Sequence, residues 1–165
     1  GIIGFGELGR AVAEASKGLG LDVMVSERPG EAERPGRHAF NNVIAQADYL
    51  SLHCPLTDNN HHMIGPKVLS EMKPSAFLIN TARGGLVDSS ALLAALKTGE
   101  IAGAAVDVLD IEPPKNDEPL ITNIDNLLVT PHNAWGAVES RNRLIEQMKE
   151  NIEAYLANQP KRQVT

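Results

Sequence analysis

The stretch GIIGFGELGRAVA, residues 1–13, decides how this chain is read. Two β-branched residues, Ile2 and Ile3, run into glycines spaced G-x-G-x-x-G, at Gly4, Gly6 and Gly9. Beyond them the apolar spacing changes from that of a strand to that of a helix. Each glycine has its own duty in such a turn. Gly4 permits the tight exit from the strand, Gly6 lets a pyrophosphate approach the backbone, and Gly9 lets helix and strand pack closely. Glu7 and Leu8 complete the turn. The helix N-terminus adds free N–H groups and the positive end of its dipole, so the whole stretch is expected to bind a dinucleotide.

Working outward, short apolar runs alternate with helical patterns, the signature of a parallel sheet covered by helices on both faces. Strands are expected at residues 2–3, 22–25, 49–53, 76–80, 101–106 and 127–130. The first helix, about residues 9–19, carries Leu8, Val12, Ala15 and Leu19 on one stripe. Residues 29–39, rich in proline, glycine and charge, read as a surface loop. Asn41 is expected to cap a short helix carrying Val43, Ile44 and Ala47. Pro66 suits the first turn of another. Asp88 caps a helix to about Lys97 that Gly99 stops. The last helix, about 134–158, places Ile145, Met148, Ile152 and Tyr155 on one face. The fold class is therefore α/β: a doubly wound parallel sheet of the Rossmann type, order 3-2-1-4-5-6, with right-handed crossovers. One dinucleotide-binding domain spans 1–165, its last helix and tail covering about 134–165. The chain opens inside a strand and without an initiator Met, so it is expected to be a piece of a longer protein.

Bulk properties narrow the function. The 165 residues carry a net charge of −6 and no Lys/Arg-rich run, which argues against nucleic-acid or anionic-membrane partners. No apolar run is long enough to span a bilayer. A single cysteine, Cys54, excludes an internal disulfide and fits a reducing, cytoplasmic setting. Glu27 ends the second strand 18 residues after Gly9, where an acidic group meets ribose hydroxyls. Glu27 repels a 2′-phosphate and favours NAD, whereas Arg28 favours the opposite, so NADP stays possible. A methyltransferase also uses a glycine-rich loop and an acidic residue after the second strand, but it would leave the remaining groups unexplained.

Those groups follow the later strands. Thr81, Ala82 and Arg83 follow the fourth, and that order would put Arg83 beside the glycine loop. Asp107 ends the fifth, Glu112 lies in its loop, and His132 follows the sixth. Ligands bind beyond the carboxyl ends of such strands. Arg83 suits a substrate carboxylate, held by two parallel hydrogen bonds. His132 suits proton transfer to or from the carbonyl oxygen, and Glu112 suits orienting the imidazole. Singly, an arginine in a loop, a glutamate before prolines and a histidine after a strand are more often solvated or structural; their shared edge is the argument. His61 and His62 are adjacent in a polar loop with no third ligand at fixed spacing, so no metal is expected. Cys54 has no evident base and reads as lining the cofactor cleft, not as a nucleophile.

The chain resembles the D-2-hydroxyacid dehydrogenases, most closely their glycerate dehydrogenase (hydroxypyruvate reductase) branch. The resemblance runs through GIIGFGELGRAVA, LHCPLT, the long stretch from MKPSAFLINTARGG to DVLDIEPP, and VTPHNAWG. It implies Arg83 as a substrate-binding and catalytic group, Glu112 as partner and His132 as acid/base. It also implies Asp107 near the nicotinamide carboxamide, Trp135 near the substrate, and Cys54, Pro55 and Asn60 on the adenine side. The substrate would be a small 2-oxo or 2-hydroxy acid, and the parent protein a homodimer. Family members usually carry Asp at the Glu27 position and often Thr at that of Asn60. They also carry a substrate domain largely absent from these residues, so the chain by itself is expected to bind NAD(H) weakly and turn over little. The same fold and residues occur in NAD(H)-sensing corepressors, which remains the alternative.

Overall fold

The computed structural model describes residues 1–163. The chain divides into two compact units, Gly1–Pro131 and His132–Thr165. The first unit holds a five-stranded sheet of β1 (Ile2–Ile3), β2 (Tyr49–Leu52), β3 (Phe77–Asn80), β4 (Gly103–Val106) and β5 (Leu127–Val129). Neighbours lie in chain order and every pair is parallel. Helices α1 (Glu7–Gly18), α2 (Phe40–Gln46), α3 (Pro66–Glu71) and α4 (Ser89–Thr98) make the crossovers. Strand residues on both faces are buried, as a parallel sheet between helices requires. Leu50, Leu52 and Leu78 meet Val43 and Ile44 of α2, Leu69 of α3 and Leu92 of α4 in one core.

The edge beyond β1 corrects the expected strand order. The run at 22–25 forms only a single parallel bridge, Val25 to Ile2, and Ser26 in turn bridges His38. Met24 O accepts the Ile2 N–H at 2.8 Å, and His38 O accepts the Glu27 N–H at 2.8 Å. Counting these bridges as minimal strands, the spatial order is 3-2-1-4-5-6-7 with the third at His38. Tyr49–Leu52 thus forms the fourth strand, beside β1. His38 lies in a proline- and charge-rich loop with no apolar run, so a strand reduced to one bridge left no pattern to read.

Helix α1 is rotated from its expected face. Leu8 is 71 % exposed and Leu19 82 %, whereas Gly9 and Ala13 are buried. The loop sets this phase: a Cβ on Gly9 would stand 2.0 Å from Gly4 O, so position 9 must face the strand and 13 follows one turn on. Helix α2 starts at Phe40 without a side-chain cap, which places Asn41 inside the helix rather than before it. Val43, Ile44 and Ala47 are buried as read. Helix α3 carries Pro66 in its first turn. In α4, Asp88 accepts the Ala91 N–H at 3.0 Å, and Gly99 closes the helix in the left-handed region at φ 70°.

The second unit is a turn followed by α5 (Val138–Leu156), which begins four residues later than read. Asn133 O accepts the Gly136 N–H at 2.8 Å, holding residues 133–136 in a turn that delays the helix. Ile145, Met148, Ile152 and Tyr155 are all exposed, and Ala154 is the buried residue of α5. Among the described residues no helix is long and apolar enough to cross a membrane.

Candidate active site

The carboxyl ends of β1 to β4 present the loops that the sequence singles out. After β1, Gly4 adopts φ +92°, and a Cβ there would lie 2.5 Å from Cys54 N. Only glycine fits that conformation and that gap. Above Gly6 no atom lies within 4 Å of a Cβ position, and α1 begins at the next residue. The first turn of a helix leaves N–H groups unpaired within it. An open backbone crest leading into a twelve-residue helix fits a pyrophosphate, so the chain's own residues suit a dinucleotide. Glu7 and Leu8, both exposed, sit in that first turn.

The neighbour of this loop is the segment after β2, not Arg83. His53 and Cys54 are half-buried against the glycine turn, and Ser51 Oγ lies 2.9 Å from His53 Nε2. Burial lowers the His53 pKa and raises that of the Cys54 thiol, which suits a lining group rather than a nucleophile. Asn60 spends its amide within the loop: Nδ2 donates to Pro55 O at 2.8 Å, and Oδ1 accepts the Thr57 N–H at 2.7 Å.

At the Val25–Ser26 bridge, the buried Glu27 does not face outward with free oxygens. Arg34 Nε donates to Oε2 at 2.6 Å, and Arg34 Nη2 pairs with Oε1. The Arg28 N–H adds a bond of 3.2 Å to Oε1. The Arg34 hydrogen bonds, opposed by burial, hold the Glu27 carboxyl down to about 2. Arg37 Nη1 donates to Ser26 O at 3.2 Å, and its guanidinium carbon lies 5.7 Å from the Phe5 ring centroid. Arg28, with its side chain 79 % exposed and paired with Glu31 at 3.5 Å, lies at the same corner.

After β3, the buried Asn80 shapes the arginine loop. Its Nδ2 donates to Arg83 O at 2.9 Å and its Oδ1 accepts the Ala82 N–H at 3.0 Å. Thr81 and Arg83 are exposed, and Arg83 Nη1 donates to Ala82 O at 2.6 Å. This loop packs on the one after β4: a Cβ on Gly84 would lie 1.9 Å from the carbonyl carbon of Leu109. The structure therefore brings the Arg83 and Glu112 loops together. Glu112 Oε1 accepts the Leu109 N–H at 2.8 Å. Asp107 is buried at the end of β4, and Thr130 Oγ1 donates to its carboxylate.

His132 opens the second unit, at φ 49°, and Trp135 Nε1 donates to His132 O at 3.1 Å. Arg83, Glu112 and Asp107 belong to the first unit. Asn80, Arg34 and Thr130 were not read as site residues. Asn80 ends an apolar strand, which is a faint signal; Arg34 sits in a loop seven residues from the carboxylate it binds and gives none.

The description "D-isomer specific 2-hydroxyacid dehydrogenase, NAD binding domain" matches residues 1–134. The glycerate dehydrogenase of Methylorubrum extorquens is 44% identical over 97% of this chain and 50% of its own length. A glyoxylate reductase of Thermococcus litoralis is 41% identical over 94% of this chain and 48% of its own. Among solved structures, a D-isomer specific 2-hydroxyacid dehydrogenase from Lactobacillus delbrueckii ssp. bulgaricus, in its NAD-complexed form, superposes with a TM-score of 0.85. It is 33% identical over 99% of this chain and 54% of its own. An acyclic imino acid reductase in complex with NADPH and D-Arg gives 0.87 at 34% identity, covering 99% of this chain and 52% of its own. The chain spans about half the length of these relatives. It belongs to the D-isomer specific 2-hydroxyacid dehydrogenase family, as the family's NAD-binding domain.

Proposed function

We propose that the parent protein is an NAD(P)-dependent oxidoreductase acting on a small D-2-hydroxy acid or its 2-oxo counterpart, most specifically D-glycerate and hydroxypyruvate, or glyoxylate. The observation that carries this reading is the Arg83 loop. It is anchored by Asn80, packed against the Glu112 loop, and set at the same sheet edge as an open glycine crest. The bound nicotinamide would supply or accept the hydride. Gly4, Gly6 and Gly9 with the first turn of α1 would hold its pyrophosphate, and Asp107 would meet the carboxamide. Arg83 would hold the substrate carboxylate in a two-bonded fork and polarise the adjacent carbonyl. His132 would give the proton to the carbonyl oxygen or take it from the hydroxyl. Glu112 would orient the imidazole and Trp135 would border the substrate. Residues 1–165 would act as one dinucleotide-binding domain of a cytoplasmic homodimer.

The test is steady-state reduction of hydroxypyruvate and glyoxylate by the full-length protein, with NADH and with NADPH, beside His132→Gln. The wild type is expected to reduce hydroxypyruvate, and the variant to lose about 10²- to 10⁴-fold in kcat with NADH affinity unchanged. A wild type that binds NADH yet reduces neither acid would overturn the reading in favour of an NAD(H) sensor.

A further inference from the structure

The histidine pair at 61–62 acquires in three dimensions the partner it lacks in sequence. Asp110, in the loop after β4, reaches both rings. His61 Nε2 lies 3.8 Å from Asp110 Oδ1, and His62 Nε2 lies 3.5 Å from Asp110 Oδ2. One ligand atom from each residue falls within 4.8 Å of the other two. We propose that His61, His62 and Asp110 form a binding site for one divalent transition-metal ion of the zinc class.

Zinc takes nitrogen and carboxylate oxygen ligands at roughly 2.0–2.2 Å, which sets tetrahedral neighbours about 3.3–3.5 Å apart. The two histidine–aspartate separations lie within a few tenths of an ångström of that spacing, and the widest separation among the three atoms, 4.8 Å at most, closes by rotation of partly exposed side chains. Two imidazoles and one carboxylate leave a fourth position for water, a known zinc arrangement, and this donor set favours zinc over calcium or magnesium.

Three further observations show a built site. His62 Nε2 is closed off from solvent and makes no hydrogen bond, an unfavourable state that a metal bond to its lone pair would relieve. The two rings stack with centroids 3.8 Å apart. The stack sets both Nε2 atoms against the one carboxylate. The backbone also aims the pair. His62 stands at φ 52°, unusual for a residue with a Cβ, and is held there by its N–H bond of 2.7 Å to Gly85 O. A Cβ on Gly85 would lie 2.9 Å from Asp110 Oδ1 and 3.2 Å from His61 Cδ2, so glycine keeps the space that brings the three groups together. A bound ion would tie the loop after β2 to the Glu112 loop after β4, next to the Arg83 loop.

The test is a Zn2+ titration of the metal-free full-length protein against a chromophoric chelator, with Co2+ absorption as a probe of geometry. It is run on wild type, His61→Ala and Asp110→Asn. His61 is exposed and Asp110→Asn is near-isosteric, and far-UV circular dichroism checks that both variants fold. His38, His53 and His132 stay in all three proteins as internal controls. One equivalent of Zn2+ at micromolar affinity is expected, with a tetrahedral Co2+ spectrum, and each substitution should weaken Zn2+ at least about tenfold. A wild type that binds no Zn2+, or binding that survives both substitutions, would overturn the proposal.

Discussion

Both carboxylate oxygens of the buried Glu27 are taken by Arg34, and Arg28 and Arg37 flank the same corner. An acidic residue here ordinarily favours ribose hydroxyls over a 2′-phosphate. With the carboxylate neutralised beneath an arginine, the corner presents guanidinium groups, which suit phosphate. Arg34→Ala is therefore expected to lower the affinity for NADPH relative to NADH by about tenfold, the worth of one charge-assisted contact, as read by fluorescence titration of each cofactor. The same pair sets an acid limit. Folding lowers the Glu27 carboxyl from 4.5 to about 2, chiefly through the Arg34 hydrogen bonds. The pair's stabilisation is thus fully present above pH 4.5 and is lost as the pH falls through about 2. Urea midpoints measured across that window should fall less steeply with acidification in Arg34→Ala than in wild type. The place of Glu27 at the end of the second strand was legible from its spacing after Gly9; its pairing with Arg34 was not, because no periodicity links a loop residue to a side chain seven positions away.

Helix α4 and helix α1 differ in how far local sequence could foretell them. Asp88 before an apolar-periodic run and Gly99 after it are local signals, and the structure uses both as read. Asp88→Ala leaves the helix's first turn uncapped and is expected to cost about 1 kcal/mol, a fall of roughly 2–4 °C in Tm by calorimetry. The phase of α1 escaped reading because an apolar stripe through Leu8 and Leu19 competes with a small-residue stripe through Gly9 and Ala13. Burial of the larger residues would have been the ordinary outcome. Contact between Gly9 and Gly4 O overrides it, since close helix–strand approach at the turn tolerates no side chain.

Across the whole molecule, the single bridges of Val25 and His38 move residues 49–52 next to β1 and carry Arg83 one strand further from the glycine crest. The Arg83 loop meets the Glu112 loop instead, through Gly84 against Leu109. The glycine crest and its helix are complete within these residues, whereas the relatives are about twice as long. Residues 1–165 alone are accordingly expected to bind NADH measurably in a fluorescence titration. They should reduce hydroxypyruvate at least about a hundredfold more slowly than the full-length protein, the loss expected when substrate positioning fails. Comparable rates from the two would sink that expectation. The sequence by itself determined the α/β class, the glycine turn and most crossover helices. Those features rest on local rules: periodicity, caps, and glycines where no Cβ fits. Only the tertiary structure decided the strand order at the β1 edge, the face α1 buries, the capture of Glu27 by Arg34, and the meeting of His61 and His62 with Asp110. Each of these turns on contacts between segments that loops bring together, and such contacts leave no regular spacing in the chain.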